Sequence, residues 1–172
     1  YDESGDVASR RFPDGTNVPY SYDDNGRISM VDTGSDATSY VYDPAGNLVT
    51  TTLPTSNGHV ETRSYDAAGR LTDIETVNGT TMLARRAYTY DPVGNPLTVT
   101  DETGSTTAYE YDERDQLTTT CTAPSGCAGA AEFIGYTYDD VGNRVVESRP
   151  DGDTTYSYNQ ADQLVSQTGN NG

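Results

Sequence analysis

Aromatic residues recur along this chain with a phase that predicts its elements. A Tyr followed by Asp or Asn stands at Tyr1, Tyr22, Tyr42, Tyr65, Tyr90, Tyr111, Tyr138 and Tyr158, at intervals of 21, 20, 23, 25, 21, 27 and 20 residues. Six of these are preceded two positions earlier by a second Tyr, at Tyr20, Tyr40, Tyr88, Tyr109, Tyr136 and Tyr156, and the two sets together are all 14 tyrosines. Residues at i and i+2 share one face of a strand, whereas on a helix they point roughly 200° apart. Each repeat is therefore predicted to open with a β-strand.

A turn follows each strand: Asp23-Asp24-Asn25-Gly26, Asp43-Pro44-Ala45-Gly46, Asp66-Ala67-Ala68-Gly69, Asp91-Pro92-Val93-Gly94 and Asp139-Asp140-Val141-Gly142. Asp first, Pro tolerated second and Gly fourth suit a type I turn closed by a residue of positive φ. Two repeats depart from this, with Asp115 in place of the closing Gly and with Asn159-Gln160-Ala161-Asp162. Asp and Asn are the non-glycine residues that best tolerate left-handed backbone. After the turn comes Arg or Asn and then an aliphatic residue, read as Arg27-Ile28, Asn47-Leu48, Arg70-Leu71 and Arg144-Val145, opening a returning strand. A second turn closes each repeat at Asp14-Gly15, Thr33-Gly34, Asn57-Gly58, Asn78-Gly79, Thr103-Gly104 and Asp151-Gly152, a strong hairpin signal between Thr- and Val-rich runs. Eight repeats of two strands predict an all-β fold, an antiparallel meander of about 16 strands, and 26 Thr suit strands with one face in water. At about 4.8 Å per strand such a sheet is some 75 Å across, and open sheets rarely exceed about 10 strands without curling. An arc of a shell or a turn of a solenoid is expected.

Composition alone points the other way. Leu, Ile, Val and Phe number 25 of 172 residues and the net charge is −17, a combination normally typical of disorder; the completeness of the repeat overrides it. The acidity and the absence of Lys argue against nucleic-acid binding and against anionic membrane surfaces, and no stretch approaches the roughly 20 apolar residues of a membrane-spanning helix. Residues 1–172 read as one array without a second domain and cut in mid-repeat at both ends: Tyr1 lacks its upstream strand, and Gln167-Thr168-Gly169-Asn170-Asn171-Gly172 stops where another hairpin arm would begin. Flanking repeats, or self-association through open edges, would then cover the ends.

The recurring Tyr-x-Tyr-Asp-x-x-Gly-Asn/Arg-Leu resembles the tyrosine-aspartate (YD) repeat of the RHS-repeat family, along essentially the whole chain. The resemblance implies β-strips that spiral into a hollow shell, as in bacterial RHS and wall-associated toxins, insecticidal toxin complexes and teneurins. It further implies a non-enzymatic, secreted or cell-surface carrier that encloses a C-terminal toxin or effector.

Several residues carry competing chemistry. Cys121 and Cys127 lie in a Pro- and Gly-containing loop insertion that can bring two sulfurs together as a disulfide; such a bond means an oxidising compartment, consistent with the family's export. His59, the single histidine, has no marked nucleophile partner and is expected at an exposed hairpin. The Asp-Pro-x-Gly stretches at Asp43 and Asp91 resemble a self-cleavage motif of RHS cores but lie in mid-array turns followed by Asn47 and Asn95, so a turn role is expected. Asp23-Asp24, Asp139-Asp140 and Asp151-Gly152-Asp153 offer oxygen ligands for Ca²⁺ but match no calcium-loop spacing; no metal or cofactor is expected. Exposed tyrosines could stack on glycans. The reading preferred is structural, with Tyr20, Tyr22, Tyr40, Tyr42, Tyr65, Tyr88, Tyr90, Tyr109, Tyr111, Tyr136, Tyr138, Tyr156 and Tyr158 as a ladder of cross-strand aromatic neighbours.

Overall fold

The computed structural model of the protein describes residues 1–34, 36–54, 56 and 58–169. Asn57, first residue of the expected Asn57-Gly58 turn, and the terminal Asn170-Asn171-Gly172 lie outside the described residues. Those described form 15 antiparallel β-strands and no α-helix. The chain divides into two compact units, Tyr1–Arg86 and Ala87–Gly172. In the first, β1 (Ser9–Arg11), β2 (Asn17–Tyr22), β3 (Ile28–Asp32), β4 (Ala37–Tyr42), β5 (Leu48–Thr52), β6 (His59–Tyr65) and β7 (Leu71–Asn78) pair in chain order. Strand β8 (Thr81–Tyr90) carries the chain across the boundary. In the second unit the order is again sequential: β9 (Pro96–Asp101), β10 (Thr106–Tyr111), β11 (Leu117–Thr122), β12 (Phe133–Tyr138), β13 (Arg144–Arg149), β14 (Gly152–Tyr158) and β15 (Leu164–Gly169). Fifteen strands stand among the described residues where about 16 were expected, because the repeat at Tyr1 shows one strand, β1, and the other repeats show two.

The even-numbered strands β2 to β14 carry the tyrosines and the odd-numbered ones return. Along the tyrosine strands the two tyrosine positions are half-buried and the residue between them, such as Ser21, Val41, Thr137 or Ser157, is exposed, except in β10, where Glu110 is half-buried. The register shifts immediately before Tyr22, Tyr42, Tyr65, Tyr111, Tyr138 and Tyr158. The turn causes this shift: the Asp N–H donates to the carbonyl four residues on (Asp23 to Arg27, 2.8 Å) while the closing residue's N–H returns to the Asp carbonyl (Gly26 to Asp23, 2.9 Å). A type I turn followed by a left-handed residue inserts one extra residue as a bulge. Gly26, Gly46, Gly69, Gly94 and Gly142 close their turns at φ between 72° and 113°, and Asp115 and Asp162 hold 61° and 56°.

The alignment of one repeat needs correction. Counting from Asp139, Asn143 occupies the place of Arg27 and Arg144 the place of Ile28, so Arg144 opens β13 where β3, β5, β7, β11 and β15 open on Ile or Leu and β9 on Pro96. His59 is likewise not an exposed hairpin residue. It is half-buried, opens β6 and faces Asn78.

Conventional core is scarce. Val18, Ala108, Cys121 and Cys127 are the buried hydrophobic residues among those described. Three of them form one cluster with Ala123, Ala130 and Phe133 packed against it, on the face of the second unit opposite its tyrosines. With so little apolar burial, polar contacts must hold neighbouring strands in place.

Candidate functional site

The tyrosine face and the turn edge hold the recurring chemistry. A return strand lies between successive tyrosine strands, so the residue directly opposite Tyr20 is Val31, opposite Tyr40 Thr51, opposite Tyr109 Thr120, opposite Tyr136 Glu147 and opposite Tyr156 Gln167. This differs from the expected ladder of direct cross-strand aromatic pairs: a meander alternates the two strand types, so the tyrosines of successive repeats stand two strands apart, about 9–10 Å. Tyr88 and Tyr90 do approach, at 6.4 Å between centroids, but within one strand.

What the tyrosines do instead is reach backward. The hydroxyl of Tyr22 donates to the Val7 carbonyl (3.1 Å), Tyr42 to Ile28 (3.0 Å), Tyr65 to Leu48 (3.0 Å), Tyr138 to Leu117 (2.7 Å) and Tyr158 to Arg144 (2.9 Å). In all five the acceptor is the residue six after the previous repeat's Tyr; Ile28, Leu48, Leu117 and Arg144 open its return strand, and Val7 lies two residues before β1. Each such bond ties one repeat to the one before it and satisfies a carbonyl at the point where the bulge interrupts the ladder. Desolvation raises the phenol pKa of Tyr22, Tyr111 and Tyr138, keeping the hydroxyl a donor at any physiological pH.

At the turn edge the first Asp is a clamp. Asp23 Oδ1 accepts the N–H groups of Asn25 (2.9 Å) and Arg27 (3.0 Å), and its Oδ2 accepts the Arg27 Nε (2.7 Å). The same fifth-position side chain closes on Asp43 through Asn47 (2.9 Å), on Asp66 through Arg70 (2.7 Å), on Asp91 through Asn95 (3.0 Å) and on Asp139 through Asn143 (3.0 Å). In the last repeat Asn159 replaces the Asp and donates to Gln163 (2.9 Å). The side-chain bonds from Arg27 and Asn47 lead in lowering the pKa of Asp23 and Asp43, and the Arg70 N–H leads at Asp66. At Asp91 and Asp139 desolvation pushes upward most strongly, and the combined hydrogen bonds from the turn still hold the carboxyls below the usual range. These carboxylates are thus engaged within their own turns. No group of three or more His, Cys, Asp or Glu among the described residues is placed to hold a metal ion.

Arginines occupy several ring faces. Arg27 lies 4.5 Å from the Tyr42 centroid, and Arg144 sits 4.6 Å from Tyr156 and 5.5 Å from Tyr136, positions of favourable cation–π attraction. Arg144 and Arg149 share Glu147. Where a second tyrosine is missing in β6, Arg63 takes its place and pairs with Glu61. On the opposite face Cys121 and Cys127 are joined by a disulfide, with Cα atoms 5.5 Å apart. Glu110 fastens that loop by accepting the Cys127 N–H (2.8 Å).

The residues that sequence reasoning missed are the fifth-position donors, the acceptor carbonyls and Glu110. A signal for this position exists: Arg27, Asn47, Arg70, Asn95, Gln116, Asn143 and Gln163 all stand five after the repeat tyrosine and all carry a guanidinium or amide side chain, although Gln163 accepts where the others that pair with their turn Asp donate. The carbonyls leave no such trace.

Comparison with known proteins agrees with this architecture. A search among curated proteins finds no match. Among solved structures the chain is similar to a Photorhabdus luminescens Tc holotoxin pore bearing a TccC3 mutation (TM-score 0.75, 21% identity, 96% of this chain and 10% of that one). It is also similar to TcdB2-TccC3-Cdc42 (0.72, 20%, 88% and 9%) and TcdB2-TccC3-TEV (0.71, 20%, 92% and 9%). At that identity the likeness is one of fold, and the chain spans about a tenth of the length of those proteins. The RHS Repeat family profile matches residues 22–57, 65–99 and 90–126, more than half of the sequence, and the chain belongs to the RHS-repeat family.

Proposed function

We propose that this chain is a non-enzymatic wall segment. It would form an arc of a hollow β-shell, in a secreted or cell-surface protein, that encloses or presents a C-terminal toxin or effector domain. The observation that carries the reading is the repeat-to-repeat tyrosine bond, made in the same place five times. The recurring groups face the neighbouring repeat or their own turn, and among the described residues no Ser, Cys or His is paired as an activated nucleophile. The function that follows is mechanical: a wall extended by adding repeats, kept soluble by its acidity. The disulfide fits an oxidising compartment. Flanking repeats and the enclosed domain of the parent chain are the partners.

The test is limited proteolysis of the natural full-length protein containing these residues. A domain after the repeats that resists protease until the repeats are denatured supports the shell. A downstream region digested at the same rate with and without the array overturns it. Sedimenting polymers would then favour a filament, and binding on a glycan array an adhesive module. Glycan stacking is the weaker reading at Tyr42, Tyr136 and Tyr156, whose faces lie under arginine.

A further inference from the structure

Two non-glycine residues among those described hold left-handed backbone, Asp115 and Asp162, and both close a turn where other repeats use Gly. Each carboxylate accepts a hydrogen bond from the fifth-position Asn of the preceding repeat: Asn95 Nδ2 to Asp115 Oδ1 (2.8 Å) and Asn143 Nδ2 to Asp162 Oδ1 (3.0 Å). The same nitrogens also donate to their own Asp91 and Asp139, 3.0 Å in each case. An amide NH₂ has two protons, so one serves its own turn and the other the next. Left-handed backbone is unfavourable for any L-residue, and the added hydrogen bond offsets that cost. Elsewhere the pairing differs. Gly69 follows Asn47, Gly46 follows Arg27, and Gly26 follows Asp6, whose Oδ2 lies 4.0 Å from where a Cβ on Gly26 would stand.

We propose that the fifth turn residue is a neighbour-recognition residue that reads the closing residue of the following repeat. Asn admits either Asp or Gly there, whereas Asp admits Gly only. Repeats are consequently not interchangeable, and part of their order along the array is specified pair by pair at the turn edge. The inference stands on the turn geometry and is independent of the shell reading.

Gly69→Asp and Gly26→Asp test it in the intact chain. Their backbones are alike, with φ of 77° and 72°, so the difference between them isolates the neighbour. A Cβ on Gly69 meets nothing within 4 Å, and the Asn47 amide carries a proton not used by Asp43. Gly69→Asp is expected to melt within about 1 °C of the parent, and Gly26→Asp about 3–5 °C below it, on the scale of one lost interaction. Asp6→Asn should restore most of the Gly26→Asp loss, because it turns a repelling carboxylate into a donor. Equal losses in the two Gly variants, unrescued by Asp6→Asn, overturn the proposal. Should Gly26→Asp fail to fold, a double-mutant cycle of Asn95→Ala with Asp115→Gly decides: non-additive melting shifts support the pairing and additive ones overturn it.

Discussion

Removing the Tyr138 hydroxyl should weaken this protein, while removing that of Tyr136, on the same face of the same strand, should hardly matter. Tyr138 donates to the Leu117 carbonyl at 2.7 Å, from a half-buried position whose desolvation is evident in its raised phenol pKa. Tyr136 contributes its ring, against Arg144 at 5.5 Å, and Phe keeps a ring there. A neutral hydrogen bond is worth about 0.5–1.5 kcal/mol net, and the acceptor stranded by its loss adds to the cost. Tyr138→Phe is therefore expected to lose about 1–1.5 kcal/mol and Tyr136→Phe less than about 0.5. At about 2.1 cal/mol/K per residue, 172 residues melting together have an unfolding entropy of about 0.36 kcal/mol/K, so Tyr138→Phe lowers the midpoint by about 3–4 °C. If Ala87–Gly172 melts as its own cooperative unit, the shift roughly doubles. Urea titration followed by circular dichroism measures both variants, with an unchanged slope showing that only stability has moved. Equal losses in the two variants, or a Tyr138→Phe midpoint within error of the parent, would refute the idea that the hydroxyl, and not the ring, joins the repeats.

Three further outcomes follow from the turn edge and the loop. Asn47→Ala, which removes the 2.9 Å bond to Asp43, should cost about 0.5–1.5 kcal/mol, whereas Asn47→Arg, the choice made at Arg27 and Arg70, should be tolerated; denaturation midpoints compare them. The turn carboxyls of Asp23, Asp43, Asp66, Asp91 and Asp139 titrate below the ordinary 3.8, so in that window the unfolded chain binds more protons than the folded one. Their contribution is complete above about pH 4 and lost as pH falls through the folded-state values; melting curves should change little between pH 7 and 5 and collapse below 4, and a large loss already at pH 5 would contradict the clamp. Reducing Cys121–Cys127, six residues apart, frees a short loop whose closure is worth about 2 kcal/mol on the chain-entropy estimate; calorimetry with and without dithiothreitol should show that loss, and none in a Cys121→Ser/Cys127→Ser chain.

Strands and turns are legible in this sequence because their causes are local. The two-residue phase of Tyr20 and Tyr22 selects a strand, and Asp23 to Gly26 select a turn with a left-handed close, without reference to anything distant. The bulge follows from the same turn, and Asp115 and Asp162 were the residues to suspect of positive φ because their side chains tolerate it. The fifth-position clamp is half legible. Arg27 and Asn47 stand out as recurring polar residues, yet nothing in their spacing says that the side chain turns back onto Asp. Aligning the seventh repeat on an aliphatic residue hides this, since Arg144 then takes the place that belongs to Asn143. The tyrosine bond is not legible at all. Its acceptor is a backbone carbonyl, and carbonyls at Ile28, Leu48 or Leu117 look the same whatever the side chain.

That hidden bond explains how strands with four buried hydrophobic residues among those described can be ordered. In a repeat array each unit touches its neighbours, and stability is a sum of unit terms and neighbour terms. Here the unit term is weak, a bulged hairpin that alone is marginal in water. The neighbour term must then carry the fold, through strand pairing, the backward hydroxyl, arginine over the next ring and, in two places, the Asn–Asp contact.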